Sequence, residues 1–273
     1  MNTAEAAQEI LAALAGGPPV VEVLVMDSPT SVVPVGTRMV VRATSASGSL
    51  GDTEADARVR ELSREVLRTR RPRQERIDTP AGPVTVYLEP HFAPDELVIV
   101  GAGHIARPLC RIGAMLGYAV TVLDDRPDFA TLERFPEAVQ LVKADFSDPF
   151  RGVALGAGTH LVLVTRGHKY DYDALRDIML RGVDLAYVGM VGSQRRVRAT
   201  LEQLRREGIS TERLAAVYSP IGLDIEAETP EEIAISIAAE LVRVRRGGTG
   251  VSMRDRARVV ERFLRHNHPS GEA

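Results

Sequence analysis

The chain predicts an α/β protein in which a small N-terminal α/β domain precedes a Rossmann-like domain built on a parallel sheet. Three observations carry this expectation. Beyond residue 93, short continuous apolar runs alternate with amphipathic helical stretches, as a parallel sheet covered on both faces requires. The first of those runs, Leu97-Val-Ile-Val100, passes straight into Gly101-Ala-Gly103-His104-Ile-Ala106 and then into a helical pattern. Before residue 93 the period differs, with strand-like runs set off by turn residues and one charged helical stretch.

Composition sets ordinary bounds. The 273 residues suit one large domain or two modest ones, and the 44% hydrophobic and 26% charged fractions are those of a water-soluble globular chain. A formal charge of −3 gives no electrostatic reason to expect a nucleic-acid partner. No apolar run approaches the roughly 20 residues that span a bilayer, so no membrane partner is expected. Met1-Asn-Thr-Ala-Glu5 lacks the basic and apolar segments of a signal peptide, and the cytoplasm is the expected location. The one cysteine, Cys110, excludes an internal disulfide and falls on the apolar face of a helix, where a buried small hydrophobe is expected.

The elements follow in order. Residues 3–15 have helical apolar spacing and end at Gly16-Gly-Pro-Pro19. Val20–Met26 and Arg38–Ala43 read as strands, Ser47–Gly51 as a flexible loop, and Asp52 as the N-cap of a helix through about Arg70. Val84–Leu88 is a further strand. His91-Phe-Ala-Pro-Asp95 reads as a linker because Pro94 cannot continue a ladder, which divides the chain into 1–93 and 94–273. Strands are then expected at Leu97–Val100, Ala119–Leu123, Val139–Val142, His160–Thr165 and Asp184–Val188, with helices notably over 104–117 and 171–181. Asn267–Ala273 reads as a frayed tail.

Ligands of parallel sheets bind beyond the carboxyl ends of the strands, so those ends carry the candidate residues. Gly101 makes the first turn, Gly103 lets backbone approach a phosphate, Ala106 permits close helix–strand packing, and His104 stands inside the loop. Asp124, 23 positions beyond Gly101, has the spacing of an acid that accepts from ribose hydroxyls, while the nearby Arg126 can instead meet a phosphate. A plain turn explains the same residues. Thr165-Arg166-Gly167-His168-Lys169 concentrates a hydroxyl, a guanidinium, an imidazole and an ammonium at one strand end, next to Asp171, which reads as a possible helix cap. Gly189-Met-Val-Gly192-Ser193-Gln-Arg-Arg196 is a second strand–glycine–helix junction, whose arginines oppose the helix dipole unless an anion binds there. Asp224 and Glu226 precede the helix start Thr229-Pro-Glu-Glu232 and could meet a ligand or pair with those arginines. No Gly-x-Ser-x-Gly elbow, P-loop lysine or Cys-x-x-Cys is present, so hydrolase and NTPase readings lack support. No His, Cys and carboxylate residues show ligand spacing along the chain, and no metal site is expected.

Taken together, these motifs resemble the XdhC/CoxI family, accessory proteins of xanthine dehydrogenase and related molybdenum hydroxylases. The resemblance runs in order through Leu97–Ala106, Val120–Arg126, Thr165–His168, Tyr187–Ser193, Ser219–Ile225 and Ala227–Glu232. It implies that the protein binds the molybdenum cofactor (molybdopterin), shields it while a cysteine desulfurase installs a sulfido ligand, and helps deliver it to an apo molybdenum hydroxylase. It also implies a homodimer. The loop Gly48-Ser-Leu-Gly-Asp-Thr-Glu54 departs from a commoner family pattern, and its lack of cysteine excludes a thiolate ligand to molybdenum from this loop. The glycine loop with Asp124 leaves open an NAD(P)-dependent oxidoreductase or a non-catalytic dinucleotide-binding module.

Overall fold

A computed structural model describes residues 1–29 and 31–258, so the tail expected at Asn267–Ala273 lies outside the described residues. The chain divides into two compact units, Met1–Pro94 and Asp95–Ala273.

The first unit opens with helix α1 (Thr3–Leu14), started by a reciprocal capping box between Asn2 and Glu5. Its sheet is antiparallel throughout: β1 (Val20–Asp27), β2 (Arg38–Val41), β3 (Ala46–Ser47), β4 (Arg73–Ile77) and β5 (Val84–His91), in the order β3-β2-β1-β5-β4. Helix α2 (Thr53–Thr69) is capped by Asp52, whose carboxylate accepts from Ala55 N–H at 2.8 Å. Strand alternation separates two apolar faces. Val21, Val23 and Val25 of β1 pack with Val59, Leu62 and Val66 of α2, while Val20 and Val40 pack with Ala6 and Ala13 of α1. Two strands escape the sequence reading. Strand β3 lies at the start of the expected loop, and β4 reads Arg-Gln-Glu-Arg-Ile with no apolar alternation. As the edge strand beside β5, it exposes Gln74 and Arg76 on one face, while the half-buried Arg73 and Glu75 precede the buried Ile77 on the other.

The second unit contains β6 (Glu96–Val100), α3 (Ala106–Met115), β7 (Ala119–Asp124), β8 (Gln140–Lys143), β9 (Thr159–Leu163), α4 (His168–Arg181), β10 (Tyr187–Met190), α5 (Gln194–Arg206), α6 (Thr211–Ala215) and α7 (Pro230–Arg246). The sheet order is β10-β9-β6-β7-β8 and every pairing is parallel. Both faces are buried: Leu97 and Ile99 pack with Leu109 of α3 and Ile237 of α7, while Val98 and Val100 pack with Leu175 of α4 and Val197 of α5. This is why the strands read as continuous apolar runs. Cys110 lies in the first of these cores as expected, its thiol pushed up to about 12 by burial. One strand differs from the expectation at Asp184–Val188. It runs over Tyr187–Met190, so Gly189 lies inside it and Gly192 is the junction glycine.

Strand order reverses between β6 and β9, and Gly101 sits at that switch point. Its φ is +107°, and a Cβ there would lie 2.6 Å from the Val164 carbonyl oxygen and 2.8 Å from Thr165 Cα. Gly101→Ala is therefore expected to cost about 3 kcal/mol, from left-handed strain plus a backbone clash. Gly117 has a φ of +82° but nothing within 4 Å of its would-be Cβ. Gly117→Ala should cost only about 1 kcal/mol. Thermal unfolding of the two variants side by side checks the difference.

Candidate functional site

The helix starts of the second unit fall into two groups. Ser210 and Thr229 accept backbone N–H groups at the starts of α6 and α7. Helices α3, α4 and α5, which follow β6, β9 and β10, have no side-chain cap. No side chain therefore receives their first-turn N–H groups at the positive end of each helix dipole, although in α4 Tyr170 N–H donates to the Gly167 carbonyl and in α3 Pro108 has no N–H.

Two of these starts border one cleft of about 410 Å³. Thr165, Arg166, Gly167 and His168 line it from the β9–α4 junction; Gly192, Ser193 and Arg196 line it from the β10–α5 junction. Pro220, Ile221 and Ile233 form an apolar wall. The wall is tied to the sheet: Ser219 Oγ donates to the Met190 carbonyl at 2.9 Å, and Ile221 N–H reaches the same oxygen at 3.2 Å. The Ser219–Pro220 peptide bond is cis. Behind it, buried Glu240 accepts from Gly222 N–H at 2.9 Å and from Tyr187 OH at 2.6 Å.

Asp171 organises the floor. It lies in the first turn of α4 rather than at its cap, and its side chain accepts from Thr165 N–H at 3.1 Å. Only 6% of the residue is exposed. Burial raises its pKa above the usual carboxylate range, against the hydrogen bonds from Thr165 and the charges of His168 and Arg196. His168 Nδ1 lies 3.4 Å from the Thr200 hydroxyl, which connects the start of α4 to the middle of α5. Arg166 makes a two-pronged pair with Asp125, at 3.0 and 2.8 Å, and so fastens this junction to the loop after β7.

The cleft thus gathers Thr165, Arg166, Gly167, His168, Gly192 and Ser193 from the sequence candidates. It adds Asp171, Arg196, Ile221 and Ile233. Of these, the arginine doublet after Ser193 is visible in the sequence, whereas the inward turn of Asp171 is not. Gly101, Gly103, His104, Ala106, Asp124, Arg126, Gly189 and Asp224 do not line the cleft. Asp224 is exposed, and Ala106 is buried at the start of α3.

Asp124 is occupied within its own loop. One oxygen accepts from Ala102 N–H at 2.7 Å and from Arg126 Nη2 at 2.9 Å; the other accepts from Arg126 Nε at 2.8 Å and from Arg126 N–H at 2.9 Å. The Arg126 guanidinium also stacks over Phe129, 3.6 Å from the ring centroid. The acid expected to meet ribose hydroxyls thus clamps the glycine loop to the loop after β7.

This parallel, doubly covered sheet with glycine turns and open helix starts at its carboxyl edge defines a Rossmann-type domain with a cationic, anion-ready cleft. Residues 97–241 match the family model of the XdhC Rossmann domain, and residues 12–78 match that of the XdhC and CoxI family. The chain belongs to the XdhC/CoxI family, as its motifs indicate. It is 30% identical over 260 residues to the uncharacterized protein YqeB of Escherichia coli K12, covering 90% of this chain and 46% of that one. It is 34% identical over 151 residues to a Bacillus subtilis protein described as a probable subunit of xanthine dehydrogenase, covering 55% and 43%. The chain therefore spans about half the length of these curated relatives, or slightly less. A crystal structure described as a xanthine dehydrogenase from Bacillus halodurans shares the fold, with a TM-score of 0.53 at 20% identity, covering 91% of this chain and 98% of that one. Among the described residues, no helix is long and apolar enough to cross a membrane.

Burial opposes ionisation of Asp124, yet the hydrogen bonds from Arg126 and Ala102 together lower its pKa from 3.8 to about 2. Folding therefore favours the ionised form. The resulting stability is complete above about pH 4 and is lost as pH falls through about 2. Asp124→Asn is expected to destabilise the protein by roughly 2 kcal/mol at neutral pH. Denaturant titrations at a series of pH values should show the variant and parent curves converging below about pH 4.

Proposed function

We propose that this protein binds the molybdenum cofactor as cargo and serves in the maturation of a xanthine dehydrogenase-type molybdenum hydroxylase. The observation that carries the reading is the cleft between the uncapped starts of α4 and α5 in the family's Rossmann domain. Molybdopterin carries a phosphate, and its dinucleotide form a pyrophosphate. Backbone N–H groups at two helix starts, together with Arg166, His168 and Arg196, are the donors such a group requires. The apolar wall of Ile221 and Ile233 suits the flat face of a pterin, and the volume is that of a small-molecule site.

In this reading Gly192 and Ser193 present backbone to the phosphate, Arg196 neutralises it, Arg166 holds the junction through Asp125, and His168 and Thr165 orient the remainder. The loop Gly101–Ala106 with Asp124 and Arg126 keeps the adjoining junction in place. Asp224 stands on the exposed loop that leads into α7, where a client surface can reach it. The carrier shields the cofactor while a cysteine desulfurase supplies the sulfido ligand, and then yields it to the apo hydroxylase. It works as a cytoplasmic homodimer with no chemistry of its own.

The test is a binding titration of the purified full chain with molybdenum cofactor, and in parallel with NAD(H) and NADP(H). Saturable cofactor binding is expected, weakened about tenfold or more by Arg196→Ala and reduced by added salt. Tight NAD(P) binding without affinity for the cofactor would sink the carrier reading in favour of a dinucleotide-dependent enzyme or regulator.

A further inference from the structure

The first unit holds a cluster that linear spacing conceals. Glu22 of β1 lies directly opposite Glu89 of β5, and Val20 lies opposite His91. Alternation along both strands puts Glu22, Glu89 and His91 on one face of the sheet, the face on which Val20 and Val40 pack with α1. One ligand atom from each of the three lies within 4.8 Å of the others.

Three features of this arrangement call for a cation. Two carboxylates directly opposite each other on an antiparallel pair repel. Glu22 is mostly enclosed, its side chain 14% exposed, so solvent screens that repulsion poorly. The Nε2 atom of His91 is fully buried with no hydrogen-bond partner, 3.7 Å from Glu22 Oε2. A buried imidazole nitrogen without a partner is costly unless it carries a proton toward a carboxylate or binds a metal. Arg38 already neutralises the other oxygen of Glu22, and His91 Nε2 faces Glu22 Oε2, but neither contact matches the carboxylate of Glu89.

We infer that Glu22, Glu89 and His91 form a binding site for a divalent transition-metal ion of the zinc class. One imidazole nitrogen with two carboxylate oxygens suits zinc, and three protein ligands leave a position for water. Metal–ligand bonds near 2.1 Å need the three atoms closer together than they stand, which rotation of the exposed Glu89 side chain supplies. The ligands rise from β1 and β5, two interior strands, so the backbone that carries them is fixed. Arg38 becomes a competitor: the metal and its guanidinium share the charge of Glu22.

The experiment is a calorimetric titration of the tag-free full chain with zinc chloride, with magnesium chloride as the control. One zinc per chain is expected, with no magnesium binding. Glu22→Gln and His91→Ala, checked for native circular dichroism, should each weaken zinc by about 100-fold. Arg38→Ala should tighten it by about fivefold, since the competing ion pair is gone. A structural role for these residues would not produce that opposite sign. Absence of zinc binding, or zinc binding that survives both ligand substitutions, would overturn the inference. If His91→Ala fails to fold, the His91 ring signals of the unmodified chain decide the matter by nuclear magnetic resonance. A selective shift on adding zinc supports the site, and unchanged signals refute it.

Discussion

Three helices of the second unit begin at the carboxyl edge of the parallel sheet with no side chain to receive their first N–H groups. The rest of the site follows from that constraint. Parallel strands buried on both faces can present polar groups only at their ends, and the helix that follows each strand starts there. The same chain caps other helices with Asn2, Asp52, Ser210 and Thr229. Leaving α3, α4 and α5 open concentrates positive potential along one edge. Arg196 adds its charge at the start of α5, beside the Arg166–Asp125 pair and His168 on the lining of the cleft.

Such an edge holds its shape only if the loops between strand and helix are tied from within. Two aspartates do this with opposite electrostatics. Asp124 is ionised by its hydrogen bonds from Ala102 and Arg126, and it locks the glycine loop. Asp171 is buried, has fewer donors, and is pushed toward the neutral form while it holds Thr165. On the far wall Glu240 joins Tyr187 to Gly222, a buried network in which loss of one partner strands the others. Acids thus hold the loops in position while basic side chains line the cleft, within neighbouring turns of one sheet edge.

Much of this is legible in the chain. The apolar strand Leu97–Val100, the glycine turn at Gly101, the Asp52 cap and the Thr229–Glu232 capping box each depend on neighbours close in sequence, and each stands as read. The basic junction at Thr165–His168 and the glycine–serine start of α5 are also visible as residue types at strand ends. Edge strand β4 escapes because its half-covered face carries Arg73 and Glu75 instead of apolar residues, so the sequence lacks the alternation that marks a strand. Strand β10 reads too early because its apolar residues continue past a glycine that packs inside it, against Ile221.

The residues alone settle what short-range physics controls: the α/β class, the parallel domain, most helix starts and the family motifs. Which strand ends share a cleft is a matter of tertiary packing. That packing turns Asp124 inward to its own loop, leaves Asp224 on an exposed loop, and brings Asp171 and Arg196 to the cleft. It also sets Glu22 against Glu89 and His91, far apart in the chain and adjacent only through strand pairing. Contacts between distant segments depend on register and strand order, and those are set by how whole faces bury together rather than by any local run of residues.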